Sequence, residues 1–194
     1  MTTSFQYCDP HAEPGAAIDR YEPRLARDAK SPRIALFPNL FTDSVEFLQD
    51  LARPLATLLP GAQFGQYDKK FLRSMSVPAS RELIQKIATE CRAAVLAFGH
   101  CGSCTCGVVQ DAVQLARAGV PVVALITTRF ADEARFLARA LGLPGIPFVF
   151  LPHPVAGRDA EFHRALAGHI APAVVAALTD AVGTDAAEFR ALAA

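Results

Sequence analysis

The apolar positions of this chain fall into short unbroken runs separated by stretches with helical spacing. Arg33 to Phe37 is such a run, and Ser44 to Leu59 follows with Val45, Leu48, Leu51, Leu55 and Leu58 three to four residues apart, which predicts a strand and then a helix. Thr42 or Asp43 can cap that helix, and Pro60-Gly61 ends it. Ala62 to Tyr67 reads as a weaker second strand. A polar stretch from Asp68 to Val77 carries Lys69, Lys70 and Arg73, and Pro78 opens a helix over Ser80 to Cys91. Ala93 to Phe98 is a continuous apolar strand stopped by Gly99. Val108 to Ala118 is helical, Pro121 to Ile126 is a second strand of the buried type, and Phe130 to Leu141 is helical. Phe148 to Leu151 is a last short strand before Pro152-His153-Pro154. Asp159 to Leu178 is a closing helical region that Pro172 is expected to interrupt.

Five strands alternating with helices predict right-handed βαβ units: an α/β fold with a doubly wound, mainly parallel sheet, in a flavodoxin/Rossmann-like three-layer sandwich. The expected organisation is an N-terminal extended tail over 1–32, a single α/β domain over 33–180 and a C-terminal helical tail over 181–194. In the flavodoxin-like strand order 2-1-3-4-5, the loops after strands 1 and 3 flank the point where such sheets bind ligands. Those loops are Asn39 to Asp43 and the segment beginning at His100.

Composition narrows the functional classes. The 194 residues are 52% hydrophobic, enough for one well-buried domain, and 19 basic residues balance 19 acidic ones. A net charge of zero draws the protein to neither nucleic acid nor an anionic membrane. The first thirty residues lack an apolar run, and no later run reaches the length of a membrane span, so a soluble cytoplasmic protein is expected. The five cysteines are an odd set, three of them within six residues. That spacing suits functional thiols in a reducing compartment, not a secreted disulfide framework.

The chemistry is concentrated in Cys101-Gly102-Ser103-Cys104-Thr105-Cys106. A Cys-x-x-Cys at a strand-to-helix junction places a thiol near free amides and the positive end of a helix, which stabilises thiolate. Cys101 is the candidate nucleophile, and Cys104 can resolve a mixed disulfide or sulfenic acid formed on it. Gly102 and Ser103 suit the turn, and His100 is a candidate base or imidazolium partner. Two other readings stay open: the thiols as small buried hydrophobes, and a zinc or copper site made by Cys101, Cys104 and Cys106 with His100 or His153. Any such metal is expected to be transient, with no cofactor required. Cys91 and Cys8 read as structural or incidental.

These residues resemble the UGSC-motif family of (seleno)proteins, named for selenocysteine or cysteine followed by Gly-Ser-Cys. The likeness runs from Ala94-Val95-Leu96-Ala97-Phe98-Gly99 through Cys101 to Thr105. It continues in Asp111, Leu115, Gly119-Val120-Pro121, Thr127, Phe130, Pro152-His153-Pro154 and Glu161, and more weakly in Asp9-Pro10 and the strand Ile34 to Asn39. The resemblance implies redox or nucleophilic work at Cys101, since the family's selenocysteine falls there. Two positions depart from the family: His100 stands where an aspartate is typical, and Pro38 to Thr42 replace an Asn-Gly-Lys-like turn.

Other candidates surround this motif. His153, between two prolines after the last strand, falls on the same sheet edge as the cluster and is a candidate proton carrier. Asp111 is about two turns beyond Cys104 and is either a substrate contact or a solvated carboxylate. Asn39 and Thr42 suit either substrate binding or helix capping, with the same ambiguity at Thr127 and Thr128. Thr105 joins the substrate-binding candidates. Lys69, Lys70 and Arg73 read as a solvated face, and His163 and His169 as surface or core. No glycine-rich nucleotide motif occurs. The expected activity is a dithiol oxidoreductase acting on a small-molecule substrate. Cys-dependent lyase or hydrolase chemistry, a metalloenzyme and a non-catalytic accessory subunit are its rivals. A homodimer, or a place in a larger enzyme, suits the apolar helices.

Overall fold

A computed structural model describes residues 18–69 and 75–180. Cys8, Asp9-Pro10, Lys70, Arg73 and the expected helical tail over 181–194 lie outside them. The elements are β1 (Arg33–Pro38), α1 (Ser44–Leu58), β2 (Gln63–Gln66), α2 (Arg81–Glu90), β3 (Ala93–Gly99) and α3 (Gly102–Arg117). They continue with β4 (Val122–Thr127), a 3-10 turn (Thr128–Phe130), α4 (Ala131–Ala140), β5 (Phe148–Leu151) and α5 (Ala160–Thr179). All strand pairs are parallel, in the order β2-β1-β3-β4-β5. The fold is the expected doubly wound α/β sandwich.

The two faces of the sheet are read directly from strand alternation. Ala94 and Leu96 of β3, with Val122, Ala124 and Ile126 of β4, turn toward Ile84, Ile87, Val109, Ala112, Val113, Ala134 and Ala138 of α2, α3 and α4. Ala93, Val95 and Ala97, with Val123 and Leu125, turn toward Phe47, Leu48, Leu51 and Leu55 of α1 and Leu166, Ile170 and Val174 of α5. The central strands β3 and β4 are buried along their whole length, as a parallel sheet covered on both sides requires.

Two helices differ from expectation. Pro172 lies inside α5 without interrupting it, as Pro54 lies inside α1. An internal proline costs a helix about 3 kcal/mol, and α5 offsets that by burying Leu166, Ala167, Ile170, Ala171, Val174 and Leu178. The helix after the cysteine motif starts at Gly102, not at Val108, so the motif is its first turn. Residues 18–32 contain neither helix nor strand, yet the Tyr21 hydroxyl accepts from Val122 N at 2.8 Å and donates to Val122 O at 3.2 Å. Leu25 is buried against the α1–α5 face. Among the described residues no helix is long and apolar enough to cross a membrane.

Candidate active site

The carboxyl edge of the sheet gathers the loops after β1, β3, β4 and β5. Gly99 closes β3 where a Cβ would stand 2.6 Å from Ile126 Cδ1 and 2.8 Å from Thr105 Oγ1, so the first turn of α3 presses on the strand end only because glycine is there. Cys101 then takes extended backbone and caps α3, its Sγ accepting from Cys104 N at 3.2 Å. The carbonyl of Cys101 accepts from both Thr105 N at 2.9 Å and Thr105 Oγ1 at 2.8 Å. These contacts fix the turn, and Ser103 Oγ adds a 3.4 Å contact to the Cys101 sulfur.

Cys101 and Cys104 form a disulfide, with their Cα atoms 5.1 Å apart. The pair is asymmetric. Cys104 is fully buried, whereas Cys101 retains exposure. Cys106 stands apart as a free thiol accepting from Gln110 Nε2 at 3.0 Å. Two residues along a helix is a rotation of about 200°, which turns Cys106 away from Cys104. Among the described residues no group of three or more His, Cys, Asp or Glu side chains is arranged to hold a metal ion.

The two site histidines hold different protons. His100 Nε2 accepts from Val155 N at 3.2 Å and Ala156 N at 3.3 Å, so the ring proton sits on Nδ1. The ring stacks on Phe41 at 5.2 Å between centroids and lies tilted against the His153 ring at 4.6 Å. Burial first, and the His153 charge second, lower its pKa. His100 is therefore a neutral anchor joining the loops after β1, β3 and β5.

His153 Nδ1 is 3.1 Å from Thr127 Oγ1, and that hydroxyl donates its single proton to Gly99 O at 3.0 Å. Nδ1 must then be the donor, which leaves Nε2 as an unprotonated base on an exposed ring. Burial, and then the charge of Arg129, lower the His153 pKa.

The remaining candidates divide. The Asn39 amide is buried and occupied within the framework, donating to Phe98 O at 2.9 Å and accepting from Phe41 N at 3.1 Å. Thr42 is exposed. Asp43 is the residue before α1 but does not cap it with its side chain; it takes left-handed backbone (φ 66) and accepts from Gly157 N at 2.7 Å. The loops after β1 and β5 are clasped by that bond.

Asp111 is not a solvated carboxylate, and Lys69 is not on a solvated face. They form a buried ion pair, with Lys69 also donating to Val77 O at 2.9 Å and Asp111 accepting from Ala79 N at 2.7 Å. Burial outweighs these partners and pushes the Asp111 carboxyl up to about 6. Sequence spacing concealed this, since the pair is 42 positions apart. His163, buried on α5, bonds Val155 O through Nε2 at 2.9 Å.

One residue of the site went unread in the sequence. Glu133, in the first turn of α4, brings its carboxylate oxygens to 3.7 and 3.8 Å from where a Gly102 Cβ would stand. Its place after β4, on the edge shared with β3, was the available signal.

A model of the UGSC family matches residues 6–180. The chain belongs to the UGSC family. Its UGSC positions are Cys101, Gly102, Ser103 and Cys104, the cap and first turn of α3. The position before them, His100, locks the UGSC motif to the β5–α5 loop through Val155 and Ala156. No curated protein matches this UGSC chain.

Proposed function

We propose that this UGSC protein is a thiol–disulfide oxidoreductase acting on a small disulfide or oxidised-thiol substrate in the cytoplasm. The observation that carries the reading is the asymmetric Cys101–Cys104 disulfide at the start of α3, with Cys101 partly exposed and Cys104 fully buried. That division suits an attacking and a resolving thiol.

In the reduced protein the Cys101 thiolate accepts from Cys104 N and lies against the positive end of α3. It attacks one sulfur of a substrate disulfide, forming a mixed disulfide and expelling the other substrate sulfur as thiolate. His153 Nε2H⁺, once protonated from solvent, supplies the proton that thiolate takes. Cys104 then loses its proton and attacks Cys101 Sγ. The second substrate thiol leaves, and the protein is left with the Cys101–Cys104 disulfide. The substrate gains two electrons and two protons, and a thiol reductant of the cell returns them to the protein. Zero net charge supports a small molecule over nucleic acid as partner.

The test compares Cys101→Ser and Cys104→Ser with dithiothreitol as reductant and glutathione disulfide as substrate. The expected outcome is no turnover by Cys101→Ser, and a stable glutathione adduct on Cys101 when reduced Cys104→Ser, freed of dithiothreitol, is mixed with glutathione disulfide. Failure of reduced Cys104→Ser to form that adduct, although its Cys101 is labelled by iodoacetamide, would overturn the dithiol reading.

A further inference from the structure

The two sulfurs of the motif are unequally supplied with hydrogen-bond donors. Among the described residues Cys101 Sγ has two such contacts, with Cys104 N at 3.2 Å and with Ser103 Oγ at 3.4 Å. None reaches Cys104 Sγ, which lies fully buried. A sulfur in a disulfide carries no proton, so at the second contact the Ser103 hydroxyl donates.

Helix α3 places Ser103 for this. It is the second residue of the helix, after the Cys101 cap and Gly102, and it is exposed, with its hydroxyl bonded to no other group among the described residues. Thr105 N and Thr105 Oγ1 both donate to Cys101 O. Those bonds do not involve the disulfide, so they hold the turn when it opens. We propose that Ser103 is the hydroxyl donor to the Cys101 thiolate, keeping the charge of the couple on the exposed sulfur and setting the pH range in which that sulfur attacks. The inference rests on the dithiol reading above.

In the reduced protein the hydroxyl and the Cys104 amide share the thiolate charge, and a hydrogen bond to an anion is stronger than one to a neutral acceptor. When Cys101 attacks a substrate disulfide, the charge passes from its sulfur to the departing substrate thiolate, and the Ser103 proton stays on its oxygen. In the last step of re-reduction a reductant thiolate attacks the reductant-derived sulfur bound to Cys101. That S–S bond breaks, and Cys101 leaves as thiolate into the same two donors. Ser103 thus favours the thiolate over the disulfide and lowers its intrinsic nucleophilicity. The other charged and titratable groups around the turn are Cys104 itself, Glu133 against Gly102, Asp132 beside it on α4, Arg129 in the 3-10 turn, and His100 and His153 in the loops. Apart from the Cys104 amide, none of these residues hydrogen-bonds the Cys101 sulfur.

The test measures alkylation of Cys101 by iodoacetamide against pH in the full chain carrying Cys104→Ser. Labelling is read at Cys101 by peptide mass spectrometry, because Cys91 and Cys106 are also free thiols. Adding Ser103→Ala is expected to raise the midpoint of the profile by about one pH unit. A thiolate of higher pKa is the better nucleophile by about threefold per unit, so the two profiles cross. Ser103→Ala should react about threefold slower below the original midpoint and about threefold faster above its own. Ser103→Thr keeps the hydroxyl and should restore the original profile. In the chain with both cysteines, Ser103→Ala should shift the equilibrium with glutathione toward the Cys101–Cys104 disulfide, by about tenfold at a pH above both midpoints. An unchanged midpoint in Ser103→Ala, or a uniform change at every pH such as a disturbed turn would give, overturns the inference and leaves the dithiol reading intact. Reduced wild type that never forms the Cys101–Cys104 disulfide with glutathione disulfide overturns the dithiol reading itself, and this inference with it.

Discussion

At the scale of single residues, the site depends on which nitrogen of each histidine carries a proton. Thr127 sets His153, because its hydroxyl is already spent on Gly99 O and can only accept from Nδ1. Loss of His153 as acid–base partner in His153→Gln is expected to lower turnover by about a hundredfold. Thr127→Val should cost a smaller part of that and flatten the pH dependence, since the ring then has no fixed tautomer. An unchanged pH–rate profile in Thr127→Val would count against the assignment. His100 makes a separate prediction about stability. Its folded pKa lies below the ordinary value, so between the two the unfolded chain binds the additional proton. The stability His100 contributes is full above about pH 6.5 and is lost as the pH falls through the folded value. Chemical denaturation should therefore show wild type and His100→Asn separated more at pH 7.5 than at pH 5, and equal separation would refute the bonds to Val155 and Ala156. The cysteines were legible as chemistry because their spacing is local. The place of Glu133 beside the motif was not legible, since an acidic residue in a helix's first turn is ordinary and the Gly102 it lies against is some thirty positions away.

At the scale of elements, periodicity located the five strands and five α-helices of the described residues but misplaced the start of α3 and expected a break at Pro172. Gly102, Ser103, Cys104, Thr105, Cys106 and Gly107 interrupt the apolar pattern and are weak helix formers, so they read as a loop. What makes them helix is tertiary: the Cys101 cap, the Thr105 bonds to Cys101 O, and backbone packed on Gly107. A Cβ at Gly107 would stand 1.9 Å from the carbonyl oxygen of Met75. On helix propensity alone Gly107→Ala would stabilise by about 1 kcal/mol. The clash is with backbone, which cannot rotate away, and overpacking of this kind costs about 1–3 kcal/mol. Gly107→Ala should therefore lower the denaturation midpoint, and a raised midpoint would mean that the 75–76 segment yields freely.

At the scale of the whole molecule, the strand order that places the cysteine motif beside the loop after β1 was expected from the fold class alone, while the βαβ alternation beneath it was legible. The connection from β2 to α2 was not, because its key contact is a long-range buried charge pair. Lys69 and Asp111 tie the stretch before α2 to the middle of α3, behind the motif. In the wild type, burial holds the Asp111 carboxyl up to about 6 even with Lys69 opposing it. A raised carboxyl means that the folded state binds the proton more tightly, so the stability this group contributes is greatest in acid and declines as the pH rises from about 4 to about 6. Above that window its contribution is constant. Lys69→Met removes the cation that lowers the Asp111 pKa, so the folded value moves higher and the decline extends into the neutral range, with a limiting slope of about 1.4 kcal/mol per pH unit. Urea denaturation at pH 6, 7 and 8 should find Lys69→Met losing stability with each step relative to wild type, and adding Asp111→Asn should abolish that relative slope. Parallel curves for wild type and Lys69→Met would mean that Asp111 is not held in a closed, water-poor site, and the segment would then be attached to α3 by packing on Gly107 alone.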